Sequence, residues 1–455
     1  MNELVIPTVN RTAQQKQRAS DATWIFRHRH THAKLSGYGD PLERLNQVIN
    51  WEIFRPILEK IDAKERKSNA GRKPTDRVLM FKLLILQRIH NLADERLEFQ
   101  VTDRLSFMRF LGLEFGAAIP DARTVWAFRE ELKEHDLIDS LFAKFNEALT
   151  GEGIEMKSGQ IIDATFIPIP IQRNNREDNK TIKEGGIPAS WGETPNKEAH
   201  KDTDARWTKK GGISHYGYKN HINVDAKLKL VTKWTSTDAS VHDSEAFESV
   251  LRDPEEGGVN VSADSAYRSE KTEAMLADKQ YNSRIHERAY RNAPLTDEQK
   301  ALNKEKSSVR ARVEHVFGHM QTSLGGMLIR SIGAARAKLN IGLMNLTYNI
   351  SREGLYVRTF DAPRELVFKA WTDPKHLAQW WGPLGFTNPV CEMDVWPGGA
   401  WRFVMRSPEG VDYPLKGVYR EVVKPKLLVM SMNLSEHPED WHDLVNPSRD
   451  KSKGR

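Results

Sequence analysis

The sequence contains only one cysteine, Cys391, among 455 residues. A single thiol cannot form a disulfide within the chain, so the disulfide-stapled folds of small secreted proteins are excluded. The lack of cysteine is consistent with a reducing, cytosolic setting. A chain of this length can bury a large core, and we expect it to form two or three domains.

Long apolar segments are also missing. The most apolar stretch runs from Leu79 to Ile89 and is interrupted by Lys82, Gln87 and Arg88. A membrane helix needs about 20 consecutive apolar residues, so no membrane span is predicted. The first residues lack the basic and apolar regions of a signal peptide. We therefore expect a cytoplasmic protein with no membrane partner.

The excess of positive charge is small overall and large in one segment. Lys and Arg number 68 and Asp and Glu 62, which gives a net charge of +6. Residues 299–338 hold eight basic residues and two acidic ones, Glu305 and Glu314, so this segment alone carries +6. Such a segment either lies along a phosphate backbone or forms a solvated basic face.

Two aspartates stand on predicted strands. Asp163 lies within residues 159–168, which are rich in β-branched and aromatic residues and bounded by glycine and proline. Asp264 closes residues 259–264, where apolar and polar residues alternate. A new helical pattern follows directly. Both carboxylates are therefore expected on strands of one sheet.

Glu314 is expected on an amphipathic helix that covers about residues 307–324. Arg310 and Gln321 fall near the same helix face as Glu314. The apolar residues that recur at helical spacing are Val309, Val313, Val316, Phe317, Met320 and Leu324. A helix that packs across the sheet can bring the third carboxylate to the two aspartates.

Three carboxylates from separate elements suit a phosphodiester-cutting site with two metal ions. Two Mg²⁺ ions about 3.5–4 Å apart can activate the attacking oxygen and stabilise the leaving oxygen. Mg²⁺ prefers oxygen ligands, so neither histidine nor cysteine is required. Any one of these acidic residues, taken alone, is more often a surface carboxylate without a role.

Residues 70–352 resemble the DDE transposases of bacterial insertion sequences, and most of all the fifth insertion-sequence (IS) family. The matching segments, in order, are Ile162–Thr165, His215–Asp225, Val261–Tyr267 and Val309–Phe317. The resemblance implies an α/β fold with an RNase H-like mixed sheet flanked by helices. It also implies a transposase that binds terminal inverted repeats, cleaves DNA and transfers the strand to a target duplex.

The resemblance assigns roles to particular residues. Asp163, Asp264 and Glu314 take the positions of the catalytic, metal-binding triad, which implies two Mg²⁺ ions with Mn²⁺ as a substitute. Arg310 takes the arginine position near the glutamate. Gln321 stands where many relatives have a lysine that contacts transposon-end DNA, and Ser307 where many have tyrosine. A homodimeric synaptic complex and a nucleoid-associated location in a bacterial cytoplasm are implied as well.

The predicted DNA contacts come from four parts of the chain. Lys219 and His221 alternate on one predicted strand and share a face, where a DNA-facing role or a role behind the metal ligands is expected. Trp207 either stacks on an unpaired base or packs on its own domain. The full set is Arg310, Arg312, Gln321, Lys219, His221, Arg206, Trp207, Lys209, Lys210, Arg123 and Arg129.

The composition divides the chain into four segments. The predicted segments are a flexible basic tail (1–35), an all-helical DNA-binding domain (36–150), an RNase H-like DDE catalytic domain (155–352) with an insertion at 172–212, and a carboxy-terminal segment (354–455). In the helical domain, the segment from Ala122 to Lys133 either reads DNA bases through its first turn or serves packing alone.

The carboxy-terminal segment has a different character, because it holds six of the twelve tryptophans. Its motifs Trp380–Pro383 and Pro397–Gly399 resemble the START-like (SRPBCC) proteins of the heat-shock-protein ATPase activator homologue type. The resemblance implies a truncated α+β helix-grip fold without its long closing helix. The segment is either a fusion scar or a ligand-binding or chaperone-associated module. A catalytically inactive DNA-binding transposase remnant is a further alternative for the whole chain.

Overall fold

A computed structural model describes most of the chain, which divides into two compact units, residues 1–358 and 359–455. The described residues are 34–36, 38–62, 75–114, 116–192, 195–253, 258–289, 294–356, 362–383, 385–433 and 435–437. The predicted basic tail lies almost entirely outside them. In the described part of the chain, no helix combines the length and the apolarity needed to cross a bilayer.

The first unit begins with a helical region. Two of its helices begin directly after capping aspartates that the sequence predicts. The Asp40 and Asp121 side chains accept hydrogen bonds from Leu42 N and Thr124 N. The α-helices are α1 (Pro41–Val48), α2 (Arg55–Leu58), α3 (Arg77–His90), α4 (Asp94–Asp103), α5 (Leu105–Leu111), α6 (Ala122–Glu134) and α7 (Ile138–Gly151), with 3₁₀ turns at Trp51–Phe54 and Glu59–Asp62.

Helix α3 is central to the helical region. Phe81, on its buried face, packs against Phe54 at a ring distance of 4.9 Å and against Trp51 at 6.4 Å. Burying side chains of this size stabilises the fold by about 1.5–3 kcal/mol each. The same group of buried residues continues into β1 and β3 of the sheet, so the helical region and the sheet share one core.

A six-stranded mixed sheet follows. Its strands are β1 (Gln160–Pro168), β2 (Arg206–Lys210), β3 (Ile213–Asp225), β4 (Val231–Asp238), β5 (Asn260–Ser262) and β6 (Asn282–Ser283). The main order is β4-β3-β1-β5-β6, and β2 pairs with the start of β3. β1 is antiparallel to β3 and parallel to β5. Together with its flanking helices, this is an RNase H-like fold, as the sequence predicted.

Helices and turns surround the sheet. They are α8 (Arg176–Lys183), α9 (Ala189–Gly192), α10 (Pro195–Ala199), α11 (Phe247–Val250), α12 (Glu270–Asp278), α13 (Asp297–Thr322) and α14 (Ala334–Tyr356), with 3₁₀ turns at Asp243–Glu245 and Ser265–Tyr267. Helix α13 buries Val313, Val316 and Met320 and contacts β1 and β5. It begins ten residues earlier than the apolar periodicity predicted, at a capping box formed by Thr296 and Gln299.

Helix α14 is held to the sheet by buried amides as well as by apolar contacts. The side chains of Asn220 on β3 and Asn345 on α14 donate to each other over 2.7 and 3.1 Å. One turn further on, Asn349 accepts from Val231 N at 2.9 Å and donates to Val231 O at 2.8 Å. These four bonds fix the helix against β3 and β4 at one position along its axis.

The second unit contains helices α15 (Arg364–Thr372) and α16 (Pro374–Leu377) and a four-stranded antiparallel sheet. Its strands are β7 (Thr387–Met393), β8 (Ala400–Arg406), β9 (Asp412–Val423) and β10 (Leu427–Met430), in the order β10-β9-β8-β7. Trp401, Phe403, Leu415 and Tyr419 are buried between sheet and helices. This architecture agrees with the predicted partial α+β segment.

Candidate active site

Asp163 lies on β1, whereas Asp264 lies two residues past the end of the neighbouring parallel strand β5 and not on a strand as predicted. The paired residues nearest to them are Ile161 on β1 and Ser262 on β5, and each aspartate follows its paired residue by two positions. Adjacent strands lie about 4.8 Å apart, and residues two apart share a face. The sheet therefore brings the two predicted aspartates to the same edge.

Asp163 is buried, with 7% of its surface exposed. Its carboxylate accepts from Ala164 N at 2.8 Å and from Arg310 Nη1 at 2.7 Å. Burial raises the pKa of Asp163 to about 6; Arg310 opposes this rise, while the negative charges of Asp264 and Glu314 add to it. Asp264 and Glu314 thus lie close enough to Asp163 to disfavour its charged form.

Asp264 begins the 3₁₀ turn that follows β5. Its carboxylate accepts from Ala266 N and caps the turn. The turn places Tyr267 beside the same edge of the sheet, fully buried, and the Tyr267 hydroxyl has no hydrogen-bond partner among the described residues. Burial and then the charges of Asp163, Asp243 and Asp264 raise the pKa of Tyr267 well above its ordinary value.

Glu314 faces the aspartates from helix α13, with Arg310 between them. The Arg310 guanidinium lies 2.7 Å from Asp163 and 3.9 Å from Glu314, whose side chain is 61% exposed. No three His, Cys, Asp or Glu side chains in the described ranges converge closely enough to hold a metal ion. In this conformation, the carboxylates of Asp163 and Glu314 are therefore arranged around the guanidinium of Arg310.

The structure corrects the expected exposure of Lys219 and His221, because both side chains are buried. Both side chains project from a face of the sheet that the rest of the fold covers. Lys219 Nζ lies 2.8 Å from Asp243 and donates to Val241 O at 2.6 Å. His221 Nε2 lies 2.9 Å from the Thr237 hydroxyl, and burial lowers the pKa of His221 to about 4. In this fold neither side chain is available to a phosphate.

Three further predicted DNA contacts are engaged within the protein. Arg129 pairs with Asp94 at 2.5 Å, Arg206 donates to three backbone carbonyls, and Arg312 donates to Ala226 O at 2.7 Å. These bonds hold the arginines against the fold, which leaves them less free to reach a phosphate than the sequence alone suggested.

Five of the predicted contacts are exposed. Trp207 is 44% exposed and tilts against Tyr216 at a ring distance of 4.9 Å. It therefore packs on its own hairpin and still presents a ring edge to solvent. The exposed contacts are Arg123, Trp207, Lys209, Lys210 and Gln321. Lys210 also lies 3.5 Å from Asp243.

The sequence reasoning missed two residues near the site. Asp243 partners Lys219, and His286 bridges the end of β5 and helix α13 through hydrogen bonds. Neither lies in an apolar periodic pattern, and their partners are far away in sequence. The sequence offered one indication of a buried polar layer, which is that Lys219, His221 and Asn223 occupy every second position of β3.

Asp163 on β1, Asp264 two residues past the end of the parallel strand β5, and Glu314 on a helix that contacts both strands form an acidic site that suits a nuclease or transposase. Residues 155–350 match the family described as "Transposase DDE domain", and residues 29–131 match "Transposase domain (DUF772)". Residues 361–450 match "Activator of Hsp90 ATPase homolog 1-like protein". Residues 155–350 thus carry a DDE transposase domain, and residues 361–450 carry an SRPBCC-like domain.

Two solved structures resemble parts of the chain. A crystal structure of a Nitrosomonas europaea protein is 34% identical over 16% of this chain and 47% of that protein, with a TM-score of 0.16. The chain therefore spans about half the length of that relative. The cryo-EM structure of a piggyBac transposase synaptic complex with hairpin DNA is 13% identical over 68% of this chain and 71% of that chain, with a TM-score of 0.33.

Proposed function

We propose that the chain is an insertion-sequence transposase that binds terminal inverted repeats, cleaves the DNA next to them and joins the freed 3′ end to a target duplex. The observation that carries the proposal is the placement of Asp163 on β1 and of Asp264 just past the end of the neighbouring parallel strand β5, with Glu314 linked to Asp163 through Arg310. The helical region (36–150) and the sheet domain (155–352) would act together, since they share one core.

The chemistry of the site fits divalent cations, on which DDE transposase domains generally depend. Asp163 is buried beside two further carboxylates, and burial raises its pKa to about 6. A bound cation would favour the charged form of this carboxylate. Arg310 supplies part of that charge. Mg²⁺, or Mn²⁺ in its place, would activate the attacking oxygen and stabilise the leaving oxygen.

Each carboxylate has a distinct part in this proposal. Asp163 and Asp264 would hold one cation between them, and Glu314 would complete the second site. Glu314 is exposed on its helix and can change rotamer at little cost, whereas Asp163 is fixed by the Ala164 amide and Arg310. Arg310 would turn towards DNA phosphate once a cation neutralises Asp163.

The DNA surface would be formed by exposed residues on strand β2, at the start of helix α6 and at the end of helix α13. Lys209 and Lys210 stand beside Trp207 on the β2–β3 hairpin, so phosphate neutralisation and base stacking can occur together. Arg123 lies in the first turn of α6 and Gln321 in the last turn of α13. A homodimer would supply the second transposon end to the synaptic complex.

A plasmid that carries the gene with its own flanking DNA tests the proposal. Asp264→Ala and Glu314→Ala should each abolish Mg²⁺-dependent cleavage and leave the affinity for the flanking DNA within about twofold, because cleavage and positioning use different contacts. The exposed Asp278 provides the matched control Asp278→Ala, which should cleave normally. Cleavage by Asp264→Ala at the wild-type rate would reject the proposal.

A second candidate function is ligand binding or chaperone association by the carboxy-terminal segment, favoured by its family match. We expect this segment to be dispensable for transposition, because the proposed site lies wholly within the other compact unit. A chain ended after residue 358 should retain cleavage and strand transfer. Loss of strand transfer in a folded shortened chain would favour the second candidate, and absence of cleavage by the full chain would favour an inactive remnant.

A further inference from the structure

His286 lies between the segment just past β5, which holds Asp264, and helix α13, which holds Glu314, and it contacts both. It lies in the segment that follows β6. Its backbone N–H donates to Ala263 O at 3.2 Å, and its ring Nδ1 lies 3.2 Å from the same oxygen. Ala263 directly precedes Asp264, so His286 holds the peptide group from which the aspartate projects.

The opposite side of the same imidazole reaches helix α13. Nε2 lies 3.0 Å from Ser307 Oγ and 3.2 Å from Asn303 O. The Ser307 hydroxyl donates its own proton to Asn303 O at 2.7 Å, which leaves an oxygen lone pair for the imidazole N–H. Ser307 precedes Glu314 by seven residues, or two helical turns, so both lie on one helix face.

The residues around His286 keep this connection rigid. Glu287 N donates to Asn303 Oδ1 at 2.8 Å, and Asn303 Nδ2 donates to Glu287 O at 3.1 Å. Lys306 donates to Ile285 O at 2.8 Å and also pairs with Glu287. The segment beside β5 is therefore bonded to three residues within about one turn of the helix, and movement of the helix would be passed to it.

We infer that His286 is a positioning residue that sets the separation between Asp264 and Glu314, and this inference rests on the proposed function. The side chain touches neither carboxylate. It acts through the Ala263 carbonyl on one side and Ser307 on the other. Mg²⁺ demands near-ideal octahedral geometry, so a small shift of α13 against β5 would weaken the cation site without unfolding the protein.

Two conservative variants separate this role from ordinary packing. Gln can reproduce the Nε2 donor that reaches the helix, whereas Asn can reproduce the Nδ1 side that faces Ala263. The backbone N–H of residue 286 already holds the Ala263 carbonyl in every variant. The helix-side bond is therefore the one that must be restored. His286→Gln should rescue function and His286→Asn should not.

The experiment measures Mn²⁺ binding by the full chain without DNA, together with cleavage and DNA affinity. His286→Ala and His286→Asn should weaken Mn²⁺ binding and lower kcat by about tenfold or more, as loss of support behind metal ligands usually does. DNA affinity should stay within about twofold, and His286→Gln should recover most of both losses. The exposed histidine control, His135→Ala, should behave as wild type.

Other results would overturn the inference. Unchanged Mn²⁺ binding and kcat in His286→Ala, or equal behaviour of the Gln and Asn variants, would show that the bridge does not position the carboxylates. If His286→Ala fails to fold by calorimetry, His286→Asn must show the same tenfold losses by itself. The proposed function fails separately, if Asp264→Ala binds Mn²⁺ and cleaves DNA as wild type does.

Discussion

Asp163→Asn should make the cation-free protein more stable at neutral pH. The pKa of Asp163 is about 6 in the folded chain, against an ordinary value of 3.8. A carboxyl with a raised pKa gives stability that is complete below about pH 3.8 and is lost as the pH rises through about 6. The difference corresponds to about 3 kcal/mol. Asparagine does not ionise and avoids this loss, so we expect a gain of about 2–3 kcal/mol above pH 7.

The measurement is thermal unfolding of wild type and Asp163→Asn in chelator, from about pH 4 to pH 8. The two proteins should unfold together near pH 4, and the variant should unfold several degrees higher near pH 8. Added Mn²⁺ should raise the wild-type midpoint and leave that of the variant almost unchanged. A variant no more stable than wild type at pH 8, with Asp278→Asn as the exposed control, would refute the reasoning.

Three further predictions follow from burial and exposure. Lys219→Ala leaves Asp243 buried without its closest partner and should cost about 3–5 kcal/mol in urea unfolding, with no change in the salt dependence of DNA binding. Trp207→Ala should weaken binding to DNA with unpaired ends by about 1–3 kcal/mol in fluorescence anisotropy, whereas the exposed Trp396→Ala should not. Burial lowers the pKa of Lys82 to about 8, so Lys82→Met should unfold at a higher temperature near pH 7, and its advantage should disappear as the pH approaches 10.5.

Several strands and helices could be predicted because their signals are local. β1 occupies residues 160–168, where β-branched residues cluster, and α3 and α6 begin after capping aspartates. Helix α13 was predicted too short, because its first ten residues are mostly exposed and lack an apolar stripe. Thr296 and Gln299 offered a capping signal that apolar periodicity cannot detect.

The face of β3 could not be predicted from the strand alone. Polar residues at every second position usually mark a solvent-facing side. In this sheet Lys219, His221 and Asn223 form a buried polar layer instead, because partners on other elements bond to Lys219, to Nε2 of His221 and to Asn223. One of these partners, Asp243, is 24 residues from Lys219. Such pairing depends on the tertiary fold and leaves no periodic trace in the sequence.

The reciprocal hydrogen bonds between Asn220 and Asn345 limit how far helix α14 can slide along the sheet. Apolar side chains would let α14 shift along the sheet at little cost in free energy. The two facing amides keep both hydrogen bonds at only one position of the helix along its axis. A force on the helical region would therefore be passed to the sheet, and the proposed site would keep its alignment if the chain acts on DNA as proposed. Leucine at both positions would keep the contact apolar and buried, but it would remove the hydrogen bonds that fix the helix position.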